Sequence, residues 1–210
     1  MKLTQLTAIN VAKGLTLVIL LGLALVYGIQ DSRQVIYLCL HGGYCLWWLL
    51  EQYLFPMRKE VIFTEETDIP TFISVLLFVG VFYALPGFFA FTNPEPLGYV
   101  SMAIALLLYI FGSLINTAAD VQKMTAKSMG AKLVNTEIWR SVRNVNYLGD
   151  LMRYSSFAVV SGVLWSGILP LTVFALYIQR ILEKEKSMGE KYDNFQDYQS
   201  NSTRLVPWLW

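Results

Sequence analysis

The second apolar segment of the chain carries side chains that could transfer a proton. His41, Tyr44, Trp48 and Glu51 follow one another at intervals of three or four residues, so they share one face of a helix. His41 is the only histidine in the sequence. Ionisable groups inside a membrane usually face a cavity or a partner helix. The stripe therefore forms either the wall of a ligand cavity, in which His41 or Tyr44 donates a proton, or a seam between helices.

A denser polar segment, residues 139–154, could bind an anion. Its polar residues include Arg140, Arg143, Arg153, Asn144, Asn146, Tyr147, Tyr154 and Asp150. Arginine binds phosphate and carboxylate groups through a fixed fork of N–H donors, so this composition suits an anionic cofactor. A basic segment that meets anionic lipid headgroups would also account for the arginines. The charged residues 179–186 could form a second wall of the same pocket.

The elements that would position these residues are long apolar helices. Of the 210 residues, 55% are hydrophobic and 15% are charged, and the mean hydropathy is +0.48. A helix of about 20 apolar residues crosses a bilayer. We predict spans at residues 8–28, 35–55, 70–92 and 98–119, followed by a longer apolar stretch at residues 147–181. The net charge of +1 does not favour a nucleic-acid partner.

The last apolar stretch decides the topology. It is too long for one ordinary span, and Trp165-Ser166-Gly167 followed by Pro170 could close a tight helical hairpin. With this hairpin, the chain has six spans, both termini are cytoplasmic, and most of the sixteen lysines and arginines lie on the cytoplasmic side. We therefore predict an all-α, polytopic integral membrane bundle with a single membrane domain over residues 1–210. Four spans occupy residues 1–119, and residues 120–210 hold the polar segments, the final hairpin and a cytoplasmic tail.

The polar segment also resembles a known signature. Residues 143–150 read Arg-Asn-Val-Asn-Tyr-Leu-Gly-Asp. This resembles the Arg-His/Asn-Pro-Asn-Tyr-Leu-Gly-Asp/Glu signature of the membrane superfamily of sterol reductases, steroid 5-alpha-reductase-like proteins and isoprenylcysteine carboxyl methyltransferases. Residues 120–123 and the tail at residues 184–208 are similar to segments of the same superfamily. Residues 41–56 resemble the second span of its short, six-span members, which are mostly of unassigned function.

The resemblance implies a cofactor-binding role for residues 120–210. Reductases of the superfamily use NADPH, and its methyltransferases use S-adenosylmethionine. Asp150 and the pair Gln122-Lys123 favour the reductase branch, which implies hydride transfer from NADPH to a C=C bond of a sterol-like or isoprenoid lipid. The expected cofactor-binding residues are Lys123, Arg140, Arg143, Asn146, Tyr147, Asp150, Arg180 and Lys184. The candidate proton donors are Tyr44, Tyr154 and His41, and no metal site is expected.

Two other functions stay open. Val145 replaces the proline of the signature and Asp193 replaces a glycine of the tail. The chain could therefore be a catalytically silent subunit of a larger membrane complex. It could also be a methyltransferase of the isoprenylcysteine or phospholipid type that holds S-adenosylmethionine in the same pocket. The single carboxylate of S-adenosylmethionine needs fewer cations than NADPH does, so the number of basic residues favours the reductase.

Overall fold

The computed structural model describes residues 3–57 and 63–210, and no β-strand occurs among them. The chain divides into two compact units. Unit 1 comprises residues 1–105 and 157–169, and unit 2 comprises residues 106–156 and 170–210. The predicted all-helical architecture is confirmed for the described residues. The prediction of a single membrane domain with a division near residue 120 stays a prediction.

The first helix, α1, is Gln5–Tyr27. It begins where the hydroxyl of Thr4 accepts a hydrogen bond from the Thr7 N–H, at 3.2 Å, which is the usual way to satisfy an orphan donor of the first turn. It ends at Gly28, whose φ of 74° lies in the region that glycine adopts without a steric penalty. The helix therefore starts three residues before the predicted first span and ends one residue before the predicted end.

The second span contains an irregular helix. Helix α2, Ser32–Tyr37, begins at a capping box formed by Asp31 and Gln34, and it continues as a π-helical segment, Leu38–Gly42, into helix α3, Gly43–Leu54. The predicted helix at residues 35–55 is confirmed. Its π-helical segment was not predicted, because periodicity alone does not report an inserted residue. Such segments occur often at functional positions.

The third span is irregular in a similar way. Helix α4, Ile69–Val75, leads through a π-helical segment, Leu76–Val81, and a short 3₁₀ turn into helix α5, Leu85–Thr92. The Asp68 carboxylate caps the first turn by accepting from the Thr71 N–H at 2.9 Å. Hydrogen bonds from Thr71 lower the pKa of Asp68, so the carboxylate stays ionised at neutral pH. The predicted span at residues 70–92 is thereby confirmed as helix.

Inside unit 1, a hydroxyl of α1 supports the π-helical segment of the third span. The Oγ1 atom of Thr16, a fully buried residue, lies 3.3 Å from the carbonyl oxygen of Val79 and 3.1 Å from that of Gly80. A Cβ atom added to Gly80 would lie 3.0 Å from Leu15 and 3.3 Å from the Ala12 carbonyl oxygen. Small residues and interhelical hydrogen bonds of this kind let membrane helices approach closely.

Helix α6, Tyr99–Ser128, is longer than the predicted fourth span. It continues nine residues past the predicted end at residue 119, so that Asp120 and Lys123 are helical. After α6, residues 129–144 contain only the short 3₁₀ helix Glu137–Trp139.

The final apolar stretch forms two helices. Helix α7 is Val145–Ser161 and helix α8 is Ile168–Lys191, and a short helix α9, Phe195–Ser200, follows in the tail. The predicted division of the stretch is confirmed, but its place is corrected. The break lies at Gly162, whose φ is 69°, and residues 164–167 form a 3₁₀ turn that leads into α8. The positive φ of Gly162 ends α7 three residues before the predicted turn.

Three connections of unit 1 are joined by hydrogen bonds around Arg33, which is 3% exposed. Its guanidinium donates to the carbonyl oxygen of Glu95, at 2.7 Å from Nη2, and to that of Val160, at 2.5 Å from Nη1. The amide of Asn93 donates to the carbonyl of Ser161 at 2.9 Å. The connections that follow α1, α5 and α7 therefore meet at one end of unit 1.

Four of the described helical segments are long and apolar enough to cross a membrane. They are Gln5–Tyr27, Ile69–Thr92, Tyr99–Ser128 and Leu164–Lys191. Many of their large apolar side chains are exposed, as lipid-facing residues of a membrane protein are. The chain is thus a multi-pass integral membrane protein.

Candidate functional site

Unit 2 contains a cleft of about 190 Å³ that is rich in basic side chains. We call it the cationic cleft. It is lined by Lys123, Lys127, Lys132, Leu133, Val134, Trp139, Arg143, Lys184, Met188, Tyr192 and Tyr198. None of these described lining residues is acidic, and five of them carry a cationic group. Such a concentration of positive charge attracts anions.

Three elements bring the lysines together. The extension of α6 past the predicted span places Lys123 and Lys127 four residues apart, on the same helix face. Lys132 follows in the connection after α6. Lys184 and Met188, also four residues apart, come from the last turns of α8. The cleft therefore depends on the two helices continuing beyond their apolar parts.

Trp139 forms the apolar base on which two of these lysines rest. The ammonium groups of Lys123 and Lys184 lie 5.5 Å and 5.8 Å from the centroid of its ring, close enough for a cation–π attraction. The ring itself is fixed, because its Nε1–H donates to the Ala119 carbonyl at 3.1 Å and its side chain is buried. Trp139 thus holds two cations near each other at the wall of the cleft.

Arg143 is bonded to the carboxyl-terminal tail. Its Nη2 and Nε lie 2.9 Å and 3.0 Å from the Glu185 carboxylate. Its Nη1 donates to the carbonyl oxygens of Gln199, at 3.0 Å, and of Ser202. Its backbone N–H donates to the carbonyl of Thr203 at 2.9 Å. Although Arg143 lines the cleft, all three nitrogens of its guanidinium have partners in the protein.

Asn144 connects the tail to a lysine of the cleft. Its Nδ2 donates to the carbonyl of Arg204 at 3.0 Å, and its Oδ1 accepts from the ammonium group of Lys184 at 2.9 Å. A side-chain amide can do both because it carries a donor and an acceptor. Asn144 therefore orients Lys184 while it fixes the tail.

Tyr198 closes the cleft on the side of the tail. Its hydroxyl donates to the carbonyl of Trp139. Burial raises the pKa of Tyr198, and the nearby Arg143 guanidinium lowers it by less. The phenol therefore stays neutral well above physiological pH. The positive charge of the cleft is not reduced by ionisation of this residue.

A second group of polar residues lies at the start of α7. The Asp150 carboxylate accepts from the hydroxyl of Tyr177 at 2.9 Å and lies 3.5 Å from the guanidinium of Arg153. The rings of Tyr147 and Tyr177 are stacked, with centroids 4.2 Å apart. The ammonium group of Lys184, which lines the cationic cleft, lies 5.7 Å from the centroid of the Tyr147 ring.

The structure separates the predicted cofactor-binding residues into three sets. Lys123, Arg143 and Lys184 line the cleft. Tyr147 and Asp150 belong to the neighbouring group, together with Asn146, whose carbonyl accepts from Asn116 at 3.0 Å. Arg140 and Arg180 are exposed and do not line the cleft. The role of each of these residues in binding a cofactor stays a prediction.

Sequence reasoning missed several residues that line the cleft: Lys127, Lys132, Trp139, Met188, Tyr192 and Tyr198. A signal existed for Lys127, because it follows Lys123 by one helical turn. No comparable signal existed for Lys132, which lies in an irregular connection. The tail residues reach the cleft only through contacts between segments about 60 residues apart, such as the hydrogen bond from Tyr198 to Trp139.

The candidate proton donors lie in different units. In unit 1, His41 is fully buried, its Nδ1 lies 2.9 Å from the Tyr37 hydroxyl, and its ring is stacked on that of Phe157 at 4.4 Å. Tyr44 is buried beside it, with the Lys13 ammonium 4.1 Å from its ring centroid. Lys13, which is 2% exposed, was not predicted as part of this cluster.

Tyr154, the third candidate donor, is buried in unit 2. The described part of the chain contains no group of three histidine, cysteine, aspartate or glutamate side chains placed to hold a metal ion.

Comparison of the sequence with known proteins gives a family match and more distant relatives. The model of a family described as "Protein of unknown function (DUF1295)" matches residues 18–204. The chain is 24% identical over 198 residues to a Delta(14)-sterol reductase of Arabidopsis thaliana. This match covers 86% of the chain and 53% of the relative. It is 27% identical over 157 residues to a Delta(14)-sterol reductase of Mus musculus, covering 64% of the chain and 37% of that relative. The chain thus spans about half the length, or less, of these relatives.

Proposed function

Because the chain belongs to the DUF1295 family, which is steroid 5-alpha-reductase-like, we propose that it is a membrane-embedded reductase of sterol-like or isoprenoid lipids. NADPH is the proposed source of the hydride that reduces a C=C bond of the substrate. The two sterol reductases among its relatives support the reaction class.

The observation that carries the proposal is the charge of the cationic cleft. Four lysines and Arg143 line it, and the described lining residues include no carboxylate. The phosphate groups of NADPH are strongly anionic, whereas the sulfonium group of S-adenosylmethionine is a cation that this field repels. The composition of the cleft therefore supports a phosphate-bearing cofactor over the methyl donor.

The proposed roles of the protein groups follow from their chemistry. Lys123 and Lys184, fixed by Trp139 and Asn144, would hold phosphate oxygens, and Lys127 and Lys132 would extend the same surface. Ordered ammonium groups stabilise phosphate through charge-assisted hydrogen bonds. The stacked Tyr147 and Tyr177 would position the uncharged parts of the cofactor, with Asp150 accepting from its hydroxyl groups.

Reduction of a C=C bond also needs a proton. Tyr44, His41 and Tyr154 are the proposed donors, since a buried phenol or imidazole can deliver a proton where bulk water is excluded. Each of the three is replaced singly, and both turnover and cofactor binding are measured. Replacement of the donor should lower turnover and leave cofactor binding unchanged.

We further propose six spans with both termini on the cytoplasmic side. Helical residues 32–54 and 145–161 would supply the two spans beyond the four long apolar segments. The hydrogen bonds that join the connections after α1, α5 and α7 support this arrangement. These connections follow the first, third and fifth proposed spans, and they lie on the same side of the membrane if every span crosses it.

The experiment that tests the function is a thermal-unfolding series on the detergent-purified protein with NADPH, NADP⁺ and S-adenosylmethionine. A ligand that binds only the folded state raises the apparent stability by about 2.7 kcal/mol at a hundredfold excess over its dissociation constant. We expect stabilisation by NADPH and NADP⁺ alone. Lys184→Ala should weaken NADPH binding about tenfold or more, because it removes a charge-assisted hydrogen bond.

The matched control is Lys186→Ala, which removes an exposed lysine of the same helix outside the cleft and should leave NADPH binding unchanged. Stabilisation by S-adenosylmethionine alone would assign the methyltransferase function. A folded protein that none of the three ligands stabilises would favour a catalytically silent subunit. Weaker NADPH binding in Arg180→Ala would show that Arg180 belongs to the site, and unchanged binding would exclude it.

A further inference from the structure

The carboxyl-terminal loop directs two large apolar side chains away from the protein. Trp208 is 96% exposed and Leu209 is 83% exposed, whereas Leu205, at the start of the same loop, is fully buried. We call Trp208 and Leu209 the apolar tip. Exposure of neighbouring large apolar residues on a loop whose base is packed indicates a surface that meets an apolar partner.

The loop has a defined backbone conformation. The N–H groups of Leu205 and Val206 donate to the carbonyl oxygen of Trp210 at 2.7 Å and 3.0 Å, and those of Leu209 and Trp210 donate to the carbonyl of Val206, each at 3.2 Å. Trp208 has a φ of 61°, a left-handed conformation that is unfavourable for a bulky residue. The loop therefore holds its tip outwards at a conformational cost, which points to a function for the exposed side chains.

The base of the loop lies close to the point where an apolar helix of unit 2 becomes charged. The Nε of Arg204 lies 2.9 Å from the Glu185 carboxylate. Arg180 is the first charged residue of α8 after its apolar part, and it precedes Glu185 by five residues. A rise of about 1.5 Å per residue makes this separation about 7.5 Å along the helix axis. The loop is therefore fixed near the boundary between hydrocarbon and headgroups.

We propose that the apolar tip inserts into the interfacial layer of the bilayer in which the protein is embedded. Tryptophan favours this layer, because its ring is apolar and its N–H can still reach a polar group. Two side chains cannot supply the roughly 800 Å² per partner that a stable protein–protein interface buries. The occupant that fits is therefore lipid, and the loop would anchor the tail that Arg143 and Asn144 hold. This proposal does not depend on the reductase function.

The test uses nitroxide spin labels on the protein in vesicles of phosphatidylcholine and phosphatidylglycerol. Labels are placed at Trp208→Cys and, separately, at Leu209→Cys, in a Cys39→Ala background that removes an exposed native thiol. Gln196→Cys, an exposed site of α9, is the matched control on the same tail. Collision rates are measured with oxygen, which concentrates in the bilayer, and with a nickel chelate, which stays in water.

We expect the ratio of oxygen to nickel collisions at both tip positions to exceed that at residue 196 several-fold. Equal ratios at the tip and at residue 196 would place the tip in water and overturn the proposal. Low collision rates with both reagents at the tip would mean that protein covers it, either a second copy or another partner, and would also overturn it. The Leu209→Cys variant retains Trp208, so it answers the question even if replacement of Trp208 disturbs the loop.

Discussion

At the scale of single residues, Arg143 has partners in the protein that its place in the sequence does not predict. An arginine beside a predicted cofactor pocket is expected to bind phosphate. In this protein its guanidinium bonds to Glu185 and to carbonyl oxygens of the tail, and it is 7% exposed. The lysines of the cleft are better placed to meet a ligand. Arg143 thus fixes the tail beside the cleft, and its predicted contact with a cofactor stays a prediction.

Arg143→Ala should release the tail. The change removes a buried ion pair and leaves carbonyl groups without donors, so we expect the tail segment to lose about 2–4 kcal/mol of local stability. The measurement is the rate of limited trypsin cleavage after residues 191 and 204, without cofactor. Arg140→Ala, which removes an exposed arginine, is the control and should leave the rate unchanged. A tail that stays protected in Arg143→Ala while NADPH binding is lost would show instead that Arg143 binds the cofactor directly.

At the scale of elements, two glycines set the distance between α6 and α7 in unit 2. A Cβ atom added to Gly149 would lie 2.6 Å from the Gly112 carbonyl oxygen and 2.8 Å from the Asn116 backbone nitrogen. Both are backbone atoms, which cannot move aside as a flexible side chain can. The close approach also lets the Asn116 amide reach the Asn146 carbonyl. The glycine of the signature therefore acts by packing helices, as small residues do in membranes.

Gly149→Ala should destabilise unit 2. Overpacking of a close contact costs about 1–3 kcal/mol, because the backbones must separate. The measurement is the midpoint of thermal unfolding in detergent. Gly22→Ala is the matched control, since a Cβ at Gly22, also in a membrane helix, meets no atom within 4 Å. A midpoint for Gly149→Ala that equals that of Gly22→Ala would contradict the close packing of α6 and α7.

At the scale of the whole molecule, the topology determines which side of the membrane each polar region faces. The proposed six spans would place the cleft lysines and the tail on the cytoplasmic side. The connections joined around Arg33 would lie on the opposite side. This arrangement depends on residues 32–54 and 145–161 crossing the bilayer as complete spans.

Labelling with a membrane-impermeant thiol reagent tests this arrangement in a Cys39→Ala background. We expect Glu95→Cys and Trp165→Cys to react from the outer side, because both follow an odd number of crossings. Thr136→Cys and Ser187→Cys should react only after the membrane is permeabilised. If Trp165→Cys and Thr136→Cys react from the same side, residues 145–161 do not cross, and the six-span proposal is wrong.

The sequence by itself determined the helical membrane architecture and the approximate limits of its helices. Apolar length, capping residues such as Asp68, and breakers such as Gly28 act on neighbouring residues, so they can be read directly from the order of residues. The hairpin turn was placed three residues late, because the positive φ of Gly162 depends on its surroundings as well as on its identity. The π-helical segments, which contain His41 and Gly80, were likewise invisible to periodicity.

The tertiary structure decided which charged residues share a site. Lys123 and Lys184 meet at Trp139, and Asn144 meets both Lys184 and Arg204, across separations of 40 and 60 residues. The sequence pattern identified basic segments, but it could not show that four lysines and Arg143 line one cleft, or that Arg143 also bonds to the tail. A side chain's partner is set by the packing of distant segments, and hydrogen-bond geometry is specific to distances of about 3 Å. That information exists only in the folded chain.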